Sequence, residues 1–200
     1  MPAKLLLIPW MVGVLYSSIP LFWFVIHPFA HSWRKMNRSP YVVLLPAWTA
    51  IIFLLGWITW PWRGVQLYSS LWPWAPAAVL FLFGLRIYGG IRSGFGTHKF
   101  TGEAELRPDE HKQELVTTGL HSRMRHPIYV AHLANFAGWA LGSGSLIAWL
   151  LLTLSVVFTF PLMIWLEERE LASRFGISFG EYKQRVPLVP RFWNNGKRMA

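Results

Sequence analysis

Residues 125–170 read RHPIYVAHLANFAGWALGSGSLIAWLLLTLSVVFTFPLMIWLEERE. Two apolar runs, 128–141 and 146–166, flank Gly142-Ser143-Gly144-Ser145. A helix needs about 20 apolar residues to cross a bilayer core. The second run meets that length. The first holds only 14 residues, or about 21 Å of helix. It must tilt, extend back through Pro127, or stop short of a full crossing. The glycine-serine stretch reads as a tight turn, so the two runs form an antiparallel helical hairpin. Charged residues stand only at its open ends: Arg125 and His126 at one, Glu167 and Glu168 at the other. The hairpin thus brings two charged stretches to one membrane face.

Upstream, three more apolar runs span 5–26, 42–62 and 71–91. The first contains Pro9 and Pro20, which a spanning helix tolerates when neighbours repair its backbone. The third opens on Trp72, Pro73 and Trp74, residues suited to an interface. The expected fold is therefore an all-α polytopic membrane protein of about five helices. Residues 1–92 form a three-helix region. Residues 93–200 form a second region: a polar connection, the hairpin 127–166 and a helical cytoplasmic tail from 167. Composition agrees. The chain has 200 residues, 54% of them hydrophobic and 14% charged, with 13 Trp. A soluble domain of this size could not hide that much apolar surface.

The first run follows only Lys4 and lacks a small-residue cleavage pattern before His27, so it reads as a retained span rather than a signal peptide. The net charge is +10. No nucleic-acid fold signature uses that charge, and loops held against anionic headgroups explain it. Arg34, Lys35 and Arg38 lie in the first loop, and Arg63 alone in the second. Lys99, Arg107, Lys112, Arg123 and Arg125 lie in the third connection, and seven more Lys and Arg in the tail. By the positive-inside rule the first loop, the third connection and the tail are cytoplasmic and the N-terminus is outside. With no Cys, disulfides, Cys-ligated zinc and thiol nucleophiles are excluded. The histidines include no His-Glu-x-x-His, and His27, His31, His98, His111 and His121 are dispersed, so no metal site is expected.

The tail continues as helix to Phe175, with Gly176 as its stop. Ser178 and Glu181 resemble a capping box for a second short helix, ended by Pro187 and Pro190. Phe175, Phe179, Tyr182 and Phe192 make this tail apolar enough to fold back as a packed subdomain. Pro127 suits the first position of a helix, which puts His126 at the cap. Arg125, His126 and Tyr129 then share neighbouring surface of one helical entrance. Arg123 reads as a headgroup anchor. Glu167 and Glu168 sit at a helix C-terminus, where the dipole favours cations. They either pair with Arg169 or Arg125 or hold a ligand bearing amines, hydroxyls or positive charge. His132, with Asn135 three residues on, is a polar group at membrane depth. It marks either a cavity or an interhelical hydrogen bond. The glycine-rich stretch 84–96 lacks the dinucleotide-binding pattern.

Together, LVTTGLHSRMRHPIY and EERELASRFGISFGEYKQRVPLVPRF resemble the isoprenylcysteine carboxyl methyltransferase and phospholipid methyltransferase superfamily, in a short, prokaryotic-like form. The matching residues are Arg125, His126, Pro127 and Tyr129, then Glu167 and Glu168, then Phe175, Gly176 and Tyr182, and loosely Val189, Pro190, Arg191 and Phe192. Ala131 stands where the family often has Gly. Phe179 replaces the first tail Tyr, and His121 a common Tyr. The resemblance covers about residues 92–193.

It implies S-adenosylmethionine as cofactor, bound on the cytoplasmic side between the hairpin entrance and the tail. It assigns His121, Arg125, His126, Tyr129, Glu167, Glu168 and Tyr182 to cofactor binding. The catalytic set is Arg125, His126, Glu168 and Arg185. Arg125 would position, Arg185 would attract an anionic acceptor, and His126 or a glutamate would serve as base if one is needed. The implied acceptor is lipophilic: an isoprenylcysteine carboxylate, a phospholipid or an isoprenoid-like compound. The location is a prokaryotic inner membrane. Two other readings compete, an NADPH-dependent reductase of the sterol-reductase type and a non-enzymatic membrane scaffold.

Overall fold

The computed structural model describes residues 3–36, 39–92, 106 and 114–189. The regular elements among them are helices, with one isolated β-bridge between Gln66 and Ser145. Helix α1, Leu7–Ile26, runs through a 3₁₀ turn into α2, Ala30–Arg34. Next come α3, Tyr41–Thr59, and α4, Trp74–Arg92. The hairpin follows as α5, Pro127–Ser143, and a long second arm. That arm comprises α6, Leu146–Leu154, a π-helical turn at Ser155–Thr159, and α7, Phe160–Phe175. Helix α8, Ile177–Arg185, closes the described chain.

Among the described residues, four helices are long and apolar enough to cross a membrane: Leu7–Arg34, Tyr41–Trp62, Trp74–Ile91 and Leu146–Phe175. Their outer faces carry large apolar side chains in the open, among them Phe53, Trp57, Leu82 and Phe158, each more than 60% exposed. Such contiguous apolar surface needs lipid around it. The protein is an integral membrane protein.

Helix α5 is the centre of the bundle. It begins at Pro127, so the short arm does extend back through that proline. One side of it packs along α4 and the other meets α1 and α6. Phe136, Ala140, Val14, Ala148 and Leu151 form the main core where α5, α1 and α6 meet. On the α4 side the backbones come so close that a Cβ on Gly84 would collide with the Asn135 amide. Asn135 is buried and donates to the Ala131 carbonyl at 2.8 Å. It is therefore a packing residue rather than a cavity marker.

The far end of the hairpin is tied to the α3–α4 connection. Leu67 N–H donates to the Gly144 carbonyl at 2.8 Å, and Leu146 N–H to the Val65 carbonyl at 3.0 Å. The Tyr68 hydroxyl donates to the Leu141 carbonyl at 2.6 Å. Gly144 has φ +64°, and a Cβ there would stand 2.5 Å from the Tyr68 carbonyl. The glycine in the turn is thus required by both backbone conformation and space.

The second short helix departs from expectation at its start. It is capped by Gly176, at φ +53°, with no side-chain capping bond. Ser178 lies inside its first turn, so the capping box is not made. The left-handed glycine already ends α7 and reverses the chain within one residue. The folding back of the tail is nonetheless real: Phe175, Phe179, Tyr182 and Val186 pack with Leu115 and Leu171. Phe192 and the 190–192 motif lie outside the described residues, as do the loop cations Lys99, Arg107 and Lys112.

Candidate active site

At the open end of the hairpin, α5, α7 and α8 converge on Arg125. Its Nε donates to Glu168 Oε1 at 2.7 Å. One terminal nitrogen donates to the Val186 carbonyl at 2.6 Å and the Lys183 carbonyl at 3.3 Å. Its backbone N–H donates to the Pro187 carbonyl at 3.0 Å. A planar guanidinium can hold a carboxylate and carbonyls at once in a fixed fork, so Arg125 fastens α8 to the hairpin. A second tie is the Tyr182 hydroxyl, which donates to the His121 carbonyl at 2.8 Å.

Glu168 is the hub of the charge cluster. It is buried, and takes Arg125 and His126 Nε2 on Oε1, the latter at 3.2 Å, and Lys183 Nζ on Oε2 at 2.7 Å. Of the two readings of the glutamate pair, the ion pair to Arg125 holds for Glu168. Glu167 points another way. Its carboxylate is 3.2 Å from His126 Nδ1, is hydrogen-bonded by Tyr129 and lies within electrostatic reach of His27.

His126 is thus clamped between two carboxylates and stacked on the Tyr129 ring, with centroids 5.3 Å apart and planes 9° from parallel. Burial opposes its charge, but the Glu167 carboxylate and the bonds to Glu167 and Glu168 prevail and push its pKa up to about 9. A group with a raised folded pKa stabilises the fold fully below its unfolded value and loses that contribution as pH rises through the folded value. Thermal stability in detergent is therefore expected to fall as pH rises from about 6.5 to about 9. His126→Gln should flatten that slope. A slope of the same size in the variant would exclude His126 as its source.

Next to this cluster lies a cavity of about 480 Å³, within the range of small-molecule sites. His121, Arg125, His126, Tyr129 and Glu167 line its polar end, with His27 beside them. Its other end is apolar, formed by Leu15, Ile19 and Phe22 of α1 and Leu45 and Trp48 of α3. Leu15 and Leu45 are 46% and 48% exposed, so residues that border the apolar end also reach the outer surface of α1 and α3.

The structure brings five of the expected residues to the cavity wall: His121, Arg125, His126, Tyr129 and Glu167. Glu168 and Tyr182 stand behind it, Glu168 bonded to Arg125 and His126 and Tyr182 to the His121 carbonyl. Arg185 does not join them. It is exposed on α8, and among the described residues its Nε reaches only the Glu181 carbonyl, at 3.4 Å. Phe179, Tyr182 and Val186 set the buried face of that helix, and Arg185 falls about 100° round from Val186, on the far side of Tyr182 from Phe179. Arg123 is exposed, as an anchor would be. Lys183, His27 and Trp23 were missed. Lys183 sits in a basic stretch that looks merely solvated. His27 and Trp23 lie on the first helix, about a hundred residues from the motif, and stack with centroids 5.0 Å apart.

The polar end offers the kinds of group that S-adenosylmethionine would need. Glu167 offers a carboxylate for an amine or hydroxyls, Arg125 lies at the wall for a carboxylate, and the Tyr129 and Trp23 faces suit a sulfonium.

The family model described as phospholipid methyltransferase matches residues 74–178. The chain is similar to the cobalt-zinc-cadmium resistance protein CzcN of Cupriavidus metallidurans, 40% identical over 78 residues, 38% of this chain and 36% of the relative. It is similar to protein-S-isoprenylcysteine O-methyltransferase of Schizosaccharomyces pombe, 39% identical over 84 residues, 38% of this chain and 34% of the relative. A longer match is methanethiol S-methyltransferase 2 of Bradyrhizobium diazoefficiens, 28% identical over 182 residues, 82% of this chain and 66% of the relative. The chain spans about a third of the length of the first two relatives. No solved structure matches.

Proposed function

Because the chain belongs to the phospholipid methyltransferase family, which includes membrane methyltransferases acting on isoprenylcysteine and methanethiol, we propose that it is an S-adenosylmethionine-dependent methyltransferase acting on a lipophilic acceptor. The carrying observation is the two-ended cavity, polar at Glu167, His126 and Arg125 and apolar along α1 and α3.

The cofactor supplies an activated methyl group on sulfur. Glu167, His126 and Tyr129 hold its polar parts, and Arg125 its carboxylate. Glu168 keeps Arg125 and His126 in place. The apolar wall of α1 and α3 binds the acceptor's body and keeps the reacting atoms dry and close, which is what a displacement at carbon requires. An isoprenylcysteine carboxylate, a phospholipid and an isoprenoid-like compound are the acceptor classes in view.

A fifth crossing, by α5, is part of this reading. The far end of α5 is bonded to the α3–α4 connection, so α5 traverses the same slab as its neighbours. The site end carries Arg34, Lys35, Arg123, Arg125, Arg169, Arg174, Lys183 and Arg185, against Lys4 and Arg63 at the other end. The site is then cytoplasmic and the N-terminus outside, in a prokaryotic inner membrane.

The test is ligand-induced stabilisation of purified protein. S-Adenosylhomocysteine at about 100 times its Kd is expected to add about 2.7 kcal/mol, read as a rise in melting temperature. NADPH is expected to do nothing. Stabilisation by NADPH alone would instead establish the reductase reading, and no response to either the scaffold.

A further inference from the structure

Two polar features off the charge cluster remain. His132, on the cavity wall, bonds the Tyr88 hydroxyl of α4 at 2.5 Å and meets the Tyr16 ring of α1 edge-on. Both readings of that residue therefore hold: it lines the cavity and joins α5 to α4. The other feature is a buried carboxylate three residues beyond Glu167. Glu170 is 8% exposed. Its Oε1 accepts from Arg34 of α2 at 2.7 Å, and its Oε2 lies 3.0 Å from Arg174 on the same helix. The Arg174 pair is local to α7. The Arg34 pair joins parts of the chain 136 residues apart.

What Arg34 fastens is a braced corner. The chain passes from α1 to α2 through a 3₁₀ turn at Pro28, a residue with no N–H to give to a continuing helix. The Trp33 indole N–H reaches back across that turn and donates to the Val25 carbonyl at 2.8 Å. The corner therefore holds one angle, and a tie at Arg34 is felt at Trp23 and His27. Those two rings are stacked, with centroids 5.0 Å apart and planes 15° from parallel, and both line the cavity with Glu167. Trp23 also packs on two cores: that of Ile26 and Leu44, and that of Tyr129, Phe160 and Met163 on α5 and the second hairpin arm. It stands at the seam that the Arg34–Glu170 bond closes. Glu167 and Glu170 are three residues apart, so they share neighbouring surface of α7. One faces the cavity and the other holds the corner.

We propose that Arg34 and Glu170 are positioning residues for the methyl donor: their bond holds the Trp23–His27 stack against α7, and the Trp23 ring meets the sulfonium. The inference rests on the methyltransferase reading and deepens it. Trp23, His27 and Arg34 all lie outside residues 74–178, the stretch that the family model matches. This part of the site is therefore built by the α1–α2 corner. Among aromatic side chains, Trp attracts a cation most strongly. Such a contact acts on the charged donor and not on its product, S-adenosylhomocysteine, whose sulfur is a neutral thioether. The corner thus lets the cavity tell donor from spent product.

Two measurements test it. In the first, purified protein in detergent is titrated with S-adenosylmethionine and with S-adenosylhomocysteine, with no acceptor present. Trp23→Leu is expected to weaken binding of the donor about 2- to 30-fold more than binding of the product. Arg34→Gln should shift the ratio of the two affinities the same way by a smaller factor, and should fold, because Arg174 still pairs with Glu170. Arg34→Lys keeps one bond to the carboxylate and should restore most of the ratio. In the Trp23→Leu background, Arg34→Gln should change the ratio no further. Equal losses for both ligands, in Trp23→Leu or in Arg34→Gln, would mean a structural role and overturn the proposal. The second measurement uses spin labels. The chain has no Cys, so labels at His31→Cys and Ala172→Cys, both exposed positions, report the distance between α2 and α7. Arg34→Gln is expected to lengthen and broaden that distance, and an unchanged distribution would overturn the positioning role. A parent protein that binds neither ligand would sink the methyltransferase reading and this inference with it. Binding of both by the parent, with equal losses in the variants, would sink this inference alone.

Discussion

Glu168→Ala is expected to lower stability by about 3–5 kcal/mol and to leave no measurable methyl transfer. Glu168 is buried and takes three cationic partners on two oxygens: Arg125, His126 and Lys183. Removing it leaves the Arg125 guanidinium without its carboxylate and the His126 imidazolium with Glu167 alone. Their side chains are only 12% and 6% exposed, so water replaces the lost carboxylate poorly. The cost is that of an uncompensated buried charge rather than of one lost hydrogen bond. Glu168→Gln keeps an acceptor but not the charge, and should fall between. Lys183 is the internal contrast. Its side chain is 52% exposed, so Lys183→Ala should cost less than about 1 kcal/mol. Denaturation in a fixed detergent, with each variant's affinity for S-adenosylhomocysteine, reads both effects. A change under about 1 kcal/mol for Glu168→Ala would show that water reaches the cluster and that Glu168 is not its hub.

Arg125→Lys is expected to weaken S-adenosylhomocysteine binding about 100-fold, or about 2.7 kcal/mol. The substitution keeps the charge and removes the fork. A lysine ammonium has one point from which to bond and cannot serve Glu168, Val186 and Lys183 together. Helix α8 then keeps only the backbone bond from residue 125 to Pro187, the Tyr182 tie to His121 and its apolar packing. Hydrogen exchange over 177–187 should speed up in the variant while α5 and α6 stay protected. Unchanged exchange with weakened binding would place the role of Arg125 wholly at the cavity wall. Unchanged exchange and binding together would remove it from the site.

Much of this was readable before any coordinates. Apolar run length locates α1, α3, α4 and the hairpin, because a bilayer imposes a minimum length on any helix that crosses it. Gly144 marks the turn, because the left-handed conformation and the Tyr68 carbonyl leave no room for a Cβ. Arg125, His126, Tyr129 and Glu167 could be named because they sit at helix ends in a recognisable order. The π-helical turn at 155–159 has no such signal. It lies in an unbroken apolar run, next to a contact between Ser17 and Ser155 hydroxyls at 3.4 Å that only packing brings about.

The division of labour between Glu167 and Glu168 could not be read either. Adjacent residues on a helix differ by about 100° in direction, so one faces the cavity and the other the Arg125 fork, but which is which depends on how α7 is rotated. Arg185 and Tyr182 illustrate the same limit on α8. Two further facts have no counterpart in a local pattern: the carbonyls of Lys183, Val186 and Pro187 bind Arg125, and Tyr88 and Tyr16 reach His132 from other helices. Every residue has a carbonyl, and tyrosines at membrane interfaces are common. Chain chemistry thus settles which segments enter the membrane and which charged residues gather at one face. Helix rotation and the meeting of distant helices settle which of those residues touch the cavity, because burial and hydrogen bonding depend on directions in space that no spacing along the chain contains.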